Sequence, residues 1–194
     1  MAARSIDSSY RGVPGVHTVA YSTAHARRHH LRRRLAVVAP NVADAVQFAG
    51  GWLFDHVMAG WDVTVAVADP QDVRPIRILG ATTVDLEAAL SSPIGPMPES
   101  IAVSVNLYES DSRIREGMLD ALDSGLTRIA VWGDALPSDL DRKFDSIQHR
   151  LSVAARAFKS HALAAAAAPA DSPGTTETFR SSGTSSVRDL ASVG

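Results

Sequence analysis

Two apolar, β-branched runs separated by one amphipathic stretch, all within residues 35–69, constrain this chain more than any other feature. Leu35-Ala36-Val37-Val38-Ala39 is closed by Pro40, and Asn41 stands where a helix needs a cap. Ala45, Phe48, Ala49, Trp52, Leu53, His56 and Val57 then recur at helical spacing. Gly60 supplies a stop, and Trp61 to Ala68 is a second strand-like run that ends in Asp69-Pro70. Strand, helix, glycine, strand is the pattern of a right-handed parallel βαβ crossover, which requires a parallel sheet covered by helices.

The same order returns downstream. Ile101–Leu107 reads as a buried strand, Ile114, Met118, Leu119 and Leu122 as a helix face, Gly125 as its end, and Thr127–Trp132 as the next strand. Between the two units, Ile76 and Ile78 alternate around Arg77, and Pro75 excludes a central position, so Arg74–Leu79 is expected to be a short edge strand. Thr82 or Thr83 is expected to cap a brief helix reaching Leu90, and SSPIGPMP to cross the surface. After Gly133-Asp134, the residues Leu140, Phe144, Ile147, Leu151, Ala154 and Phe158 advance in steps of four and three, which predicts one long amphipathic helix from Ser138 to Ala168. The expected fold class is therefore α/β, a mainly parallel, doubly wound, Rossmann-like sheet of about five strands with a long C-terminal helix and disordered tails. The expected organisation is a basic arm at 1–34, the α/β domain at 35–168, and a Ser/Thr/Gly-rich tail at 169–194.

Composition removes some function classes. The chain has 194 residues, enough for one domain with a real core, and no cysteine, so disulfides, thiolate nucleophiles and Cys-ligated zinc are out. No uncharged apolar run approaches the roughly 20 residues of a membrane span, since Asp44, Asp55 and Asp62 interrupt the best candidate. Arg27-Arg28 and Arg32–Arg34 lie too deep, and too close to Pro40 and Asp44, for an export signal. The expected location is the cytoplasm.

Charge is divided along the chain: residues 1–34 hold seven arginines against Asp7, whereas residues 35–168 hold ten Lys or Arg against seventeen Asp or Glu. Arg27, Arg28, Arg32, Arg33 and Arg34 are candidates for phosphate contact, against the alternative of an ordinary solvated basic stretch. Nucleic acid is possible but not favoured, because the acidic body repels phosphate. In parallel α/β sheets ligands bind beyond the carboxyl ends of the strands, which here places Asn41, Asp44, Asp69, Asn106, Glu109, Asp111 and Asp134 at a candidate ligand or metal crevice. Asp and Asn also stand at strand ends as turn and cap residues, so that alternative stays open.

The tract Gly60–Val65 ending in Asp69 resembles the second strand of dinucleotide-binding domains, where a terminal acid holds a ribose. The first turn, APNVADA, lacks the G-x-G-x-x-G through which such domains approach a pyrophosphate, so NAD and FAD are disfavoured and the cofactor is open. No Walker A loop, H-E-x-x-H helix or G-x-S-x-G elbow occurs either, and no catalytic residues can be nominated from spacing.

Three functions remain at this point. A non-catalytic binding or scaffold domain acting through partners comes first. A nucleotide- or metal-using enzyme with its site in the acidic crevice is the alternative, and nucleic-acid contact through the arm is the third. The heptad register of the expected long helix, with Leu151 and Phe158 in its seam, suggests a homodimer or a partner helix.

Overall fold

Arg34–Asn41 (β1) and Asp62–Asp69 (β2) lie in parallel, with Val37 opposite Val65 and Ala39 opposite Val67, and Val42–Met58 (α1) makes the crossover between them. The cap is the expected one: Asn41 is extended, and its side chain accepts from the Asp44 amide at 2.8 Å. The computed structural model describes residues 32–92, 97–133, 136–168 and 174–182.

The remaining elements are Arg74–Ile78 (α2), Thr82–Asp85 (β3), Leu86–Ser91 (α3), Ser100–Ser104 (β4), Val105–Ser110 (α4) and Ser112–Ser124 (α5). Arg128–Trp132 (β5), Ser138–Asp141 (α6), Phe144–Arg150 (β6), Val153–Ala165 (α7) and Thr176–Ser182 (β7) complete the chain. The fold is mixed α/β with a seven-stranded sheet in the order β3-β2-β1-β4-β5-β7-β6. The first five strands are mutually parallel, and β7 runs antiparallel to both β5 and β6. After β3 the chain crosses to the far side of β1, so the switch point lies between β1 and β4.

Strand residues alternate between two apolar clusters. Leu35, Val37, Ala39, Val63, Val65 and Val67 join α1, α2 and α7 on one side, while Val103, Ile129 and Val131 join α4, α5 and α6 on the other.

The sheet has seven strands rather than about five, the strand expected at Ile101–Leu107 ends at Ser104 because Val105–Ser110 is helix, and four further expectations of local structure are corrected. Arg74–Ile78 is a helix with Pro75 in its first turn, because the fully buried residues are Ile76 and Leu79, three apart, rather than Ile76 and Ile78. Thr82–Asp85 is the outer strand, and the helix begins after Asp85, whose side chain accepts from the Ala88 amide at 2.9 Å. The Ser138–Ala168 helix is three elements, α6, β6 and α7, so the coiled-coil seam does not exist as one helix. Ser152 starts α7, accepting from the Ala155 amide at 3.0 Å. Finally, the tail expected to be disordered contains β7, which pairs with β6 along its whole length, from Phe144 opposite Ser182 to Arg150 opposite Thr176.

Candidate functional site at the fork between β5 and β7

The sheet opens into a fork. β7 pairs with β5 only at Ser181 opposite Ala130 and Arg180 opposite Val131, and then continues past the carboxyl end of β5 while still paired to β6. Gly133 follows the end of β5: its φ of 146° lies where side chains are disfavoured, and a Cβ there would stand 3.0 Å from Val105 Cβ. A cavity of about 670 Å³ fills the fork, walled by Phe48 and Gln47 of α1, Trp132 of β5, Lys159 of α7 and the β7 residues Thr176 to Arg180. Arg180 is ion-paired to Asp141.

At its base lies a buried ion pair that no sequence pattern announced. Lys159 Nζ donates to Glu177 Oε1 at 2.5 Å and to the Gln47 carbonyl at 2.6 Å. Glu177 also accepts from two amides in the middle of α1, Gly51 at 2.9 Å and Trp52 at 2.8 Å. A strand side chain thus reaches into the hydrogen-bonding ladder of a helix and is neutralised there by a lysine. Gly51 is also where Leu151 packs closely on α1: a Cβ there would lie 2.3 Å from Leu151 Cδ2. Burial pushes the Glu177 carboxyl above its ordinary range, opposed by Lys159 and the two amides.

Asp44 stands one helical turn before Gln47 and Phe48, on the same side of α1. Its Oδ2 accepts from Trp132 Nε1 at 3.0 Å, across the top of the sheet from β1 to β5. Partial burial raises the Asp44 carboxyl above the usual range, and the indole N–H pulls it partly back.

The other expected crevice residues do not gather around Asp44. Asn41 is occupied as a cap. Asp69 is exposed at the end of β2 and accepts from Gln71 at 3.2 Å. Asn106 and Glu109 are exposed on α4. Asp111 caps α5 and shares Arg113 with Glu87 in an exposed triad, each ion pair at 2.7 Å. Arg113 holds the Asp111 carboxyl down at about 2. Asp134 lies outside the described residues, as do Arg27 and Arg28. Among the described residues no group of three or more His, Asp or Glu is placed to hold a metal ion.

The arm and the partner helix are likewise redistributed. Arg32 is exposed, Arg33 donates to Glu99 at 2.8 Å and lies over the Trp61 ring at 4.0 Å, and Arg34 begins β1, at the end of the sheet opposite the fork. Leu151 is buried in the core, so it presents no seam, and Phe158 is half exposed and stacked on Phe54 at 4.5 Å. No helix among the described residues is long and apolar enough to cross a membrane.

No protein-family model matches the chain, and no curated protein matches it. Two solved structures share its fold. One is a deacetylase of the teicoplanin biosynthetic pathway, solved as a triple mutant, with a TM-score of 0.56 and 14% identity, covering 79% of this chain and 99% of the other. The second is the A40926 pseudoaglycone deacetylase Dbv21, with a TM-score of 0.54 and 16% identity, covering 77% and 96%. The expectation of a non-catalytic binding or scaffold domain is thereby corrected: the chain has the fold of two enzymes.

Proposed function

We propose that the chain is an enzyme of the acyl-hydrolase kind, acting on an amide-bearing molecule held in the fork, with Asp44 as the group that moves the proton. The observation that carries this reading is Asp44 itself. A half-buried carboxyl with a raised pKa stands in the first turn of α1, just past the end of the central strand β1, and its partner Trp132 is a lining residue of the cavity. A general base works best with a pKa moved toward the working pH, which is the direction burial supplies here. In amide hydrolysis the Asp44 carboxylate takes a proton from water as the water oxygen bonds to the acyl carbon. It returns the proton to the nitrogen as the C–N bond breaks. The deacetylase fold of the two structural neighbours supports the same reaction class.

Acetate release from a panel of N-acetylated amines, sugars and amino acids tests this. Asp44→Asn should lower the rate on any substrate of the wild type by about 10²–10⁴-fold, the usual contribution of a positioned acid–base group, while the protein melts normally. The wild-type rate should rise with pH as Asp44 ionises, above the ordinary aspartate range. Trp132→Phe removes the bond that lowers this pKa, so the acid limb should move to higher pH. Full activity in Asp44→Asn, or no acetate from any member of the panel, overturns the reading.

A further inference from the structure

Among the described residues, the strand β7 is paired on one edge only from Thr176 to Phe179. Its β6 edge is engaged throughout, whereas β5 pairs with it only at Arg180 and Ser181 and ends at Trp132. Consecutive residues of a strand point their backbone N–H and C=O groups to alternate edges, so two of these four residues direct a donor and an acceptor each toward the fork. The cavity occupies the place that a longer β5 would fill, and it is lined by all four of these residues.

We propose that this open edge is a recognition site for an extended amide-containing ligand, a short peptide segment that enters the fork as a continuation of β5 and pairs with β7. Several features specify that chemistry. Backbone pairing requires a ligand with its own N–H and C=O groups in strand spacing, which a simple sugar or aliphatic acid lacks. The lining charges are balanced, since Lys159 is satisfied by Glu177 and Arg180 by Asp141, so no net charge is called for. Phe48, 36% exposed, offers an apolar wall for a ligand side chain. A span of four residues at about 3.4 Å each fits three or four peptide units. The fork is also reached from both sides of the sheet, with Lys159, Gln47 and Phe48 on the α1 side and Leu136 and Ser146 among its other lining residues.

This inference names the substrate class for the hydrolase reading and rests on the same cavity, yet binding and turnover are separable. The probe is a pair of capped tripeptides, acetyl-Ala-Phe-Ala-amide and its counterpart methylated at every backbone nitrogen, titrated to millimolar concentration into the full chain and followed by ¹H–¹⁵N NMR. The unmodified peptide should shift the amides of Thr176 to Phe179 and the Trp132 indole resonance, and the methylated peptide should bind at least tenfold more weakly. Equal binding of the two peptides, or no shift in these resonances with either, overturns the proposal. Repeating the titration with Asp44→Asn distinguishes the two readings. Undiminished binding without acetate release from the wild type would remove the hydrolase and leave the peptide site, whereas acetate release without peptide shifts would do the reverse.

Discussion

Removing Glu177 should unfold this protein more readily than removing any surface charge. Its side chain is 3% exposed and that of Lys159 is 7% exposed. The carboxylate accepts three bonds, from Lys159 and from the amides of Gly51 and Trp52. In Glu177→Ala the two amides lose the carboxylate, and the ammonium keeps only the Gln47 carbonyl and becomes an uncompensated buried charge. Breaking a buried pair in this way costs about 3–5 kcal/mol. At ~2–4 °C per kcal/mol for a chain of this size, the melting temperature should fall by roughly 10 °C. Lys159→Met behaves differently, since the stranded carboxyl can take a proton. Burial already raises the folded pKa of Glu177 above its unfolded value, and losing Lys159 raises it further. An acid with a raised folded pKa contributes stability that is present below the unfolded pKa and lost as pH rises, so this variant should be least stable near neutrality and recover toward pH ~4. The double variant Lys159→Met, Glu177→Met should lie near the wild type, because the desolvation penalty of both charges disappears. Urea unfolding of all four proteins at acid and neutral pH measures these differences. A loss below about 1 kcal/mol in Glu177→Ala, the range of exposed pairs, would refute the account of a buried pair holding β7 to α1.

Three further outcomes are expected. His56 is held down at about 4 from 6.5 by burial, so the protein should lose roughly 3 kcal/mol as pH falls from 6.5 toward 4, and acid melts of His56→Phe should lack this limb. Gly51→Ala should destabilise by about 1–3 kcal/mol, since its Cβ must displace buried Leu151 from 2.3 Å; a chemical-denaturation midpoint equal to wild type would show that Leu151 relocates without cost. The Asp111 carboxyl should titrate at about 2 in a carbon-detected NMR series, and return toward the ordinary range in Arg113→Ala, because the guanidinium is the leading cause of the depression.

The central part of the sheet was legible because its signals are local and redundant. In β1, α1 and β2, apolar period, Asn41 cap and Gly60 stop all give the same answer. The edges were not, because there the sequence fits two periods. Leu140, Phe144, Ile147 and Leu151 satisfy helical spacing as written, yet Phe144–Arg150 becomes a strand because β7 supplies a full-length antiparallel partner more than twenty residues later. That partner was hidden in turn by its composition. TETFRSS has one large apolar residue, and its alternation places Glu177 inward, a choice that is tolerable only with Lys159 across from it. Hydropathy assigns such a position to the surface, whereas the pair becomes visible only once both elements are placed.

The same reasoning explains why the expected crevice did not assemble. Asn41 and Asp111 lie at strand or helix ends for backbone reasons, each accepting a nearby amide, and Asp69 and Glu109 face solvent. Asp44 differs because it lies in the first turn of α1 with its amide held by Asn41, and its carboxyl meets Trp132. What brings Phe48 and Gln47 to the cavity wall is the hold of Glu177 and Lys159 on the following turn of α1. The pair therefore acts on the proposed site as well as on stability: it fixes the turn of α1 between the carboxyl of Asp44 and the core. Loss of Glu177 should consequently loosen the fork even under conditions where the chain remains folded, with Phe48 and the Trp132 indole as the reporters nearest to the change.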